Sequence, residues 1–499
     1  MYHHPGEYVT DFCIVKRDQL YHLFHIRGER WTWPVGYREL DLGHATSTDL
    51  RTWTPHVPVL PAGPKGAWDE SGNWAPDMIE VDGVYYCYYT GSDANNNQAI
   101  GLATSTDLFH WEKHPNNPVV EPGPWSDRHV GKDVAGRDAM IFADDERNRY
   151  LLYYTATMAD GRACLALAQS RDLVHWEDLE PTYIEEDRHY NRLESAYLVP
   201  HDGRFYLFYS AKGGPKSKGF SPKAFDHFDI VYLVSDDPTT GWQKPANHEL
   251  LTEWTCASEH PTFDGVTYML YIVQEEINGI WGASVLSDPK RIEWQTDGTV
   301  RVREHLPDDV TAQMLFDSRL DTVDDWVHHG GDWSVGGDQT LVAPAVSDET
   351  LLLNTLWGRD LALEAELWLP ADGVASLIVR GNPSAMAGYR VGLDRARGVV
   401  GLYERFPAQP ERVIQERSVP LLPGEWHKLK VVVQGDFFDV YVDETLLLVR
   451  HERTYAEGCF GVHAHGPVQV RNLRAYRYVG PEDTASDWER RCKPYHLFR

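Results

Sequence analysis

A chain of 499 residues is too long for one ordinary hydrophobic core, so two domains, or at most three, are expected. Its 42% hydrophobic and 24% charged residues are a typical globular composition, which excludes wholesale disorder. The net charge of −28 repels phosphate groups and argues against nucleic acids and anionic membranes as partners.

The cysteines predict neither a disulfide framework nor a zinc site, because they are scattered and form no CxxC pair. They are Cys13, Cys87, Cys164, Cys256, Cys459 and Cys492. No basic segment followed by an apolar run opens the sequence, and no run of 18 apolar residues occurs in it. We therefore expect no signal peptide, no membrane span and a cytoplasmic location; an extracellular one would require a leader that has been removed.

A short pattern recurs along the first 300 residues and sets the expected fold. It reads ATSTDLRTW at 45–53, ATSTDLFHW at 103–111 and AQSRDLVHW at 168–176, with weaker copies VSDDPTTGW at 234–242 and SVLSDPKRIEW at 284–294. Each copy follows an aromatic strand such as YYCYY or FYLFY, and another short apolar strand precedes that one. Five such units predict a five-bladed β-propeller.

An acidic residue opens the first strand of every unit. These residues are Asp11, Asp77, Asp138, Glu194 and Glu259, the last followed by His260. The innermost strands of a propeller surround its channel, so we expect the five acids to occupy equivalent places at one mouth. Such a cluster costs desolvation and repulsion and is tolerated where it performs chemistry or holds a cation. A single acid, and Asp77 above all, could instead cap a strand or bind backbone amides.

Glycosidic cleavage is the chemistry that this cluster fits. One carboxylic acid protonates the leaving oxygen, while a second carboxylate attacks the anomeric carbon or activates water. Clustering keeps one carboxyl protonated near neutral pH, and a neighbouring cation such as Arg137 keeps another ionised.

Residues 5–300 resemble the furanosidase propellers of glycoside hydrolase families 43 and 32. NWAPD at 73–77 before VDGVYYCYYTG, and ESAYLV at 194–199 before DGRFYLFYSA, resemble family 43 segments. GHATSTDLRTW at 43–53, YHLFHI at 21–26 and Arg137-Asp138 resemble family 32 segments. The prolines that follow the acids in these families are absent, which indicates a divergent member.

The resemblance implies roles for three carboxylates. Asp11 is the nucleophile of a retaining enzyme or the general base of an inverting one. Asp138 stabilises the transition state or modulates a pKa, and Glu194 is the general acid or acid/base. Residues expected to contact the sugar are His44, Trp74, Asp77, Arg137, Arg192 and His260, with Arg188, His189 and a rim loop at 213–229 nearby. No cofactor is expected to be required, and the resemblance allows a structural calcium ion near the propeller axis, beside His260.

The predicted domains are a propeller at 1–300, a linker at 301–314, a β-sandwich (jelly roll) at 315–480 and a tail at 481–499. The sandwich is predicted from period-two strands, and WHKLKVVVQGDFFDVYVDE resembles concanavalin-like domains. We expect it to stabilise the chain; sugar binding and dimerisation are alternatives.

The sequence thus predicts an all-β glycoside hydrolase that cleaves terminal arabinofuranosides, fructofuranosides or xylosides. Its partner is an oligosaccharide or glycoside, and it is a monomer or a homo-oligomer. Two alternatives stay open: a transglycosylase or phosphorylase on the same scaffold, and a non-catalytic carbohydrate-binding propeller.

Overall fold

The described part of the chain consists of β-strands, turns and one 3-10 turn at Asp145–Arg147. The computed structural model describes residues 1–3, 6–29, 39–127, 136–187, 189–213, 228–277, 280–306, 310–317, 322–336, 338–344, 349–384, 386–407 and 409–479. None of these residues belongs to a helix that is long and apolar enough to cross a membrane. The chain forms two compact units, one ending at Val302 and the other beginning at Arg303.

The first unit is a propeller of five antiparallel blades, as the repeat predicts. The strands of the first two blades are β1 (Glu7–Arg17), β2 (Leu20–Glu29), β3 (Leu42–Ser47), β4 (Thr54–Pro55), β5 (Gly72–Val81), β6 (Val84–Ser92), β7 (Gln98–Ser105) and β8 (Glu112–Lys113). The next two contain β9 (Arg137–Asp144), β10 (Arg149–Thr157), β11 (Ala163–Ser170), β12 (Trp176–Ile184), β13 (Arg192–His201), β14 (Arg204–Lys212), β15 (Phe228–Ser235) and β16 (Glu249–Leu251). The fifth contains β17 (Thr255–Glu259), β18 (Thr262–Phe263), β19 (Val266–Ile277), β20 (Ile280–Leu286), β21 (Lys290–Trp294) and β22 (Val300–Glu304).

The recurring Ser-x-Asp-Leu pattern is a turn that follows the third strand of a blade. In the first blade, Asp49 Oδ1 accepts hydrogen bonds from the backbone N–H groups of Arg51 (2.8 Å) and Thr52 (2.7 Å) and from the Ser47 hydroxyl (2.8 Å). Leu50 has a φ of 60°, so the Asp side chain holds a left-handed turn. Asp107 and Asp172 make the same backbone contacts in the next two blades. The three clearest copies of the repeat therefore form the same turn in three blades.

Residues near the start of the chain pair with the fifth blade. The backbone of Tyr2 exchanges two hydrogen bonds of 2.9 Å with Leu286, and the Ser284 hydroxyl donates to the Val9 carbonyl (2.7 Å). These contacts join the first and last blades, which closes the ring of blades around the channel.

The second unit is a sandwich of two antiparallel sheets. One has the order β25-β26-β37-β28-β33-β34-β35, with β23 pairing β37, and the other β24-β27-β36-β29-β30-β31-β32. The strands are β23 (Thr311–Asp317), β24 (Val327–His329), β25 (Ser334–Val335), β26 (Leu341–Val342), β27 (Glu349–Gly358), β28 (Leu361–Trp368), β29 (Val374–Asn382), β30 (Ala387–Asp394), β31 (Val399–Arg405), β32 (Arg412–Ser418), β33 (Trp426–Gln434), β34 (Phe437–Val442), β35 (Thr445–His451), β36 (Gly458–His465) and β37 (Gln469–Val479). Alternate residues such as Leu377, Val391 and Phe438 form its core.

Parts of the predicted linker lie in strands. Residues 301–304 belong to β22 and residues 311–314 to β23, whereas residues 307–309 lie outside the described residues. The predicted tail at 481–499 lies outside the described residues. Cys13, Cys87, Cys164, Cys256 and Cys459 are buried and free, as expected for small apolar side chains.

Candidate active site

Each innermost strand of the propeller contains a β-bulge near its beginning. The pairing register shifts between Thr10 and Phe12, Trp74 and Asp77, Arg137 and Met140, Glu194 and Tyr197, and Cys256 and Glu259. One residue in each bulge has a positive φ: Asp11 (20°), Ala75 (42°), Asp138 (55°), Ser195 (51°) and Ala257 (45°). We call these five residues the bulge ring. Bulges re-aim side chains and are frequent beside active sites.

The bulges place the five predicted acids at three levels, which corrects the expectation of equivalent places. Asp11 and Asp138 belong to the bulge ring itself. Glu194 lies one residue before its bulge residue, whereas Asp77 and Glu259 lie two residues after theirs. The sequence pattern aligned the acids with one another because it carries no mark of the extra residue in each strand.

A pocket opens inside the bulge ring, and every blade contributes to it. Its lining consists of Asp11, Phe12, Ala75, Pro76, Asp138, Ala139, Ser195, Ala196, Ala257 and Glu259. Small side chains at Ala75, Ser195 and Ala257 leave the space open, and the acids supply its polar atoms. Three carboxyls therefore face one concave site, the arrangement that marks a candidate active site.

Asp11 is held by two hydroxyl groups. Ser195 donates to Asp11 Oδ1 (2.7 Å) and Thr10 donates to Asp11 Oδ2 (3.1 Å). Burial and the neighbouring Asp138 carboxylate raise the pKa of Asp11 to about 6, against the opposing effects of the Ser195 hydrogen bond and Arg137. Asp11 is thus a carboxyl that changes protonation state close to neutral pH.

Arg137 joins the other two predicted catalytic acids. Its guanidinium forms a hydrogen-bonded ion pair with Glu194, and its Nε lies 3.4 Å from Asp138 Oδ2. Arg192 adds a second cation, with Nη1 3.3 Å from Glu194 Oε1. The Thr155 hydroxyl donates to Asp138 Oδ2 (3.0 Å). The structure therefore links Glu194, Arg137 and Arg192 to Asp138, which lines the pocket beside Asp11. Glu194 and the two arginines are not among the residues that line the pocket, and their roles stay predictions.

Asp77 is turned into the protein and does not line the pocket. Its Oδ2 accepts the backbone N–H of Ile141 (2.7 Å) and so ties the second blade to the third. Burial raises the pKa of Asp77 to about 7, although the hydrogen bonds from Ile141 and Met78 lower it. The predicted sugar contact of Asp77 is corrected to a buried structural one.

His44 and Trp74 are also absent from the pocket lining. His44 stacks on Phe24 with 4.5 Å between ring centroids and lies within hydrogen-bonding distance of His22 (3.0 Å between ring nitrogens). Burial and the two neighbouring imidazoles of His22 and His56 lower the pKa of His44 to about 3, so it packs as a neutral ring. The indole of Trp74 lies over Gly72, where a Cβ atom would be 2.8 Å from Nε1. Both residues make packing contacts, and their predicted sugar contacts stay predictions.

His260 is a buried packing residue as well. Its ring stacks on Phe208 with 3.7 Å between centroids, and its Nε2 lies 3.0 Å from the Ser258 hydroxyl. Burial lowers the pKa of His260 to about 3. Across the described residues, no group of three or more His, Cys, Asp or Glu side chains is arranged to hold a metal ion, and calcium requires several oxygen ligands. The Nδ1 atom of His260 is buried without a hydrogen-bond partner among the described residues, and the calcium ion stays an expectation.

Of the other residues expected near the pocket, His189 stacks edge-on against Tyr190 (4.6 Å between centroids). Arg188 and residues 214–227 of the predicted rim loop lie outside the described residues.

Four contacts of the site were missed by sequence reasoning. Ser195 and Thr10 hydrogen-bond Asp11, Thr155 hydrogen-bonds Asp138, and Glu259 lines the pocket, although the sequence pattern gave it no role beyond the row of acids. The Thr155 contact carries no sequence signal, because it depends on the pairing of β9 with β10.

Comparisons with known proteins agree with both units. Residues 8–161 match the family described as Glycosyl hydrolases family 43, and residues 311–475 match the 3-keto-alpha-glucoside-1,2-lyase-like domain. Levanase from Bacillus sp. (strain L7) is 30% identical over 533 residues, which cover 94% of this chain and 50% of the levanase. Arabinan endo-1,5-alpha-L-arabinosidase A from Aspergillus aculeatus is 41% identical over 221 residues, 40% of this chain and 61% of that protein.

Solved structures share the fold at low sequence identity. Fructan 1-exohydrolase IIa from Cichorium intybus superposes with a TM-score of 0.66 at 15% identity and covers 96% of both chains. The curated relatives are matched over only part of their length, about half in the case of the levanase. These likenesses establish a five-bladed propeller followed by a β-sandwich.

Proposed function

Because the chain is a divergent member of the superfamily that contains glycoside hydrolase families 43 and 32, we propose that it hydrolyses furanosyl glycosidic bonds. The observation that carries the proposal is the pocket inside the bulge ring, where Asp11 and Asp138 face one space and Arg137 links Asp138 to Glu194. The relatives support a furanosyl substrate, since they are named β-fructofuranosidase, levanase and arabinan arabinosidase.

In the proposed mechanism, Glu194 donates a proton to the glycosidic oxygen as the bond to the anomeric carbon breaks. Asp11, ionised above its raised pKa of about 6, attacks the anomeric carbon or removes a proton from the attacking water. Asp138 stabilises the positive charge that develops on the sugar ring, and the Thr155 hydroxyl fixes its orientation.

The two arginines beside Glu194 place a condition on its acid role. Opposite charges favour the carboxylate form of an acid, and Glu194 contacts both Arg137 and Arg192. A bound sugar that displaces one of these contacts favours the protonated form that catalysis needs. Arg137, which also contacts Asp138, then remains as the cation that balances the second carboxylate.

The test is hydrolysis of aryl furanosides by the full chain. We would assay nitrophenyl α-L-arabinofuranoside, β-D-xyloside and β-D-galactofuranoside, with sucrose, levan, inulin and arabinan followed by release of reducing sugar. Wild-type turnover on a furanosyl substrate is expected, with a loss of about 10²–10⁴-fold in Glu194→Gln and a comparable loss in Asp11→Asn.

Glu177→Gln provides the matched control, because this exposed carboxylate on β12 contacts Gln169 and lies outside the pocket. It should retain wild-type rates. A fully active Glu194→Gln enzyme, or turnover confined to pyranosides, would reject the proposed assignment.

A further inference from the structure

Glu259 is a fifth carboxyl that the proposed mechanism does not use. It is the last residue of β17 and lies two residues after the bulge residue Ala257. Asp77 occupies the same level of the second blade and Tyr197 that of the fourth. Glu259, unlike those two residues, lines the pocket together with Asp11 and Asp138.

The carboxyl of Glu259 differs from the other four in having no fixed partner among the described residues. Hydroxyl groups hold Asp11, a hydroxyl and a guanidinium hold Asp138, two guanidiniums contact Glu194, and a backbone N–H binds Asp77. Glu259 is half-buried at the pocket, and a carboxyl held partly out of water without a protein partner can bind a polar ligand there.

The surroundings of Glu259 favour its neutral form. Burial, then the charges of Asp77 and Asp11, raises the pKa of Glu259 well above its usual value. Among the described residues, Glu259 also raises the pKa of Tyr197 and of Cys13, whose pKa values burial raises first. Its surroundings thus supply acidic groups, and its uncharged carboxyl offers one O–H donor and free acceptor oxygens.

We propose that Glu259 hydrogen-bonds a ring hydroxyl of the bound furanosyl unit and so determines which sugar the pocket accepts. This inference rests on the proposed function and deepens it. A sugar hydroxyl both donates and accepts, which matches a neutral carboxyl; a cationic ligand would instead require the ionised form. The residue acts on sugar recognition, and the proton transfers stay with Glu194 and Asp11.

The experiment compares Glu259→Gln with Glu259→Leu in the full chain, using kcat and KM on the best furanoside. Glutamine keeps a donor and an acceptor at the same reach, so kcat/KM should stay within about threefold of wild type. Leucine fills the site but leaves the sugar hydroxyl unpaired, so KM should rise about tenfold or more, with a smaller change in kcat. Glu177→Leu is the exposed control and should match wild type.

Two further measurements separate recognition from a structural role. On a set of deoxy-furanosides, one analogue should bind wild type and Glu259→Leu equally, because it lacks the hydroxyl that Glu259 contacts. Glu259→Leu should also melt at least as high as wild type, since it removes a half-buried carboxyl that has no partner among the described residues.

The inference is overturned if Glu259→Leu is as efficient as wild type, or if a folded Glu259→Gln loses as much as Glu259→Leu. The second result would mean that a charged carboxylate is required. Wild type without turnover on any furanoside rejects the proposed function, and calorimetry with free arabinose and fructose then decides the inference. Binding weakened about tenfold in Glu259→Leu supports it, whereas no binding to wild type removes it as well.

Discussion

At the scale of single residues, the five acidic side chains of the propeller channel differ in their partners and in their pKa values. Two of them, Asp138 and Glu194, share the guanidinium of Arg137. Burial raises the pKa of Asp11 to about 6, of Asp77 to about 7 and of Glu259 well above its usual value. The channel therefore places carboxyls with raised pKa values near a pair of acids that shares a guanidinium, the kind of contrast that acid and base chemistry in one pocket uses.

The hydrogen bond from Ser195 to Asp11 should set the acid side of the pH profile. Asp11 must be ionised to react, so activity should fall as pH drops through about 6. Ser195→Ala removes a donor that stabilises the carboxylate, so the proton is held to higher pH. The midpoint of the acid limb of kcat/KM should move up by about 0.5–1 unit.

Ser258→Ala is the control for this shift, because Ser258 contacts His260 and no acid of the pocket. Its acid limb should coincide with that of wild type. An unchanged limb in Ser195→Ala would show that Asp11 does not govern the activity.

Arg192 should help to position the Glu194 carboxyl. Its guanidinium Nη1 lies 3.3 Å from Glu194 Oε1. Arg192→Gln removes this contact and should lower kcat/KM on a furanoside by about tenfold. Arg149→Gln, which removes a contact with Asp144 outside the pocket, should leave kcat/KM in place, and a fully active Arg192→Gln enzyme would show that the contact is not needed.

The acidic residues of the site could be predicted from the sequence, but their positions relative to the β-bulges could not. Asp11, Asp138 and Glu194 stand out because each begins a repeat, and Arg137 is adjacent to Asp138. The packing of His44 and His260 could not be predicted, because a histidine near an acid-rich segment looks the same whether it faces a pocket or stacks on a phenylalanine. Only the register of the strands decides between these two outcomes.

At the scale of elements, the bulge in each innermost strand builds the pocket. It turns the backbone of five strands into a left-handed conformation at one level and places small or acidic side chains there. The usual sequence sign of such a backbone is glycine, and none of the five positions carries one. Aspartate, serine and alanine at a positive φ are less favourable, so the surrounding sheet must hold this conformation, and local sequence could not reveal it.

The Ser-x-Asp-Leu turn is an element whose contribution can be measured. Asp49→Ala removes an acceptor of two backbone N–H groups and should lower the free energy of unfolding by about 1–2 kcal/mol. Asp49→Asn keeps a side-chain acceptor and should retain most of that stability. Urea unfolding of the full chain, followed by tryptophan fluorescence, measures both variants.

Activity on a furanoside at 25 °C should stay unchanged in both Asp49 variants, because Asp49 does not line the pocket. Equal stability of Asp49→Ala and wild type would show that the repeat is not maintained by its turn.

At the scale of the whole molecule, periodicity was enough to predict the architecture. Five copies of one pattern predicted the five blades, and period-two alternation after residue 315 predicted the sandwich, because both signals are averaged over many residues. The change from one unit to the next was harder to locate, since strands β22 and β23 occupy much of the segment expected to be a linker. A polar, charged stretch can form an edge strand as readily as a loop.

The measurement that tests the central claim most directly is the dependence of the Glu194→Gln rate on the leaving group. A dinitrophenyl furanoside has a leaving group that departs without a proton, whereas an alkyl or sugar leaving group needs the general acid. Glu194→Gln should lose less than about tenfold on the dinitrophenyl substrate and about 10²–10⁴-fold on the alkyl furanoside. Equal losses on both substrates, or no loss on either, would contradict the assignment of this pocket as a glycosidase site with Glu194 as its acid.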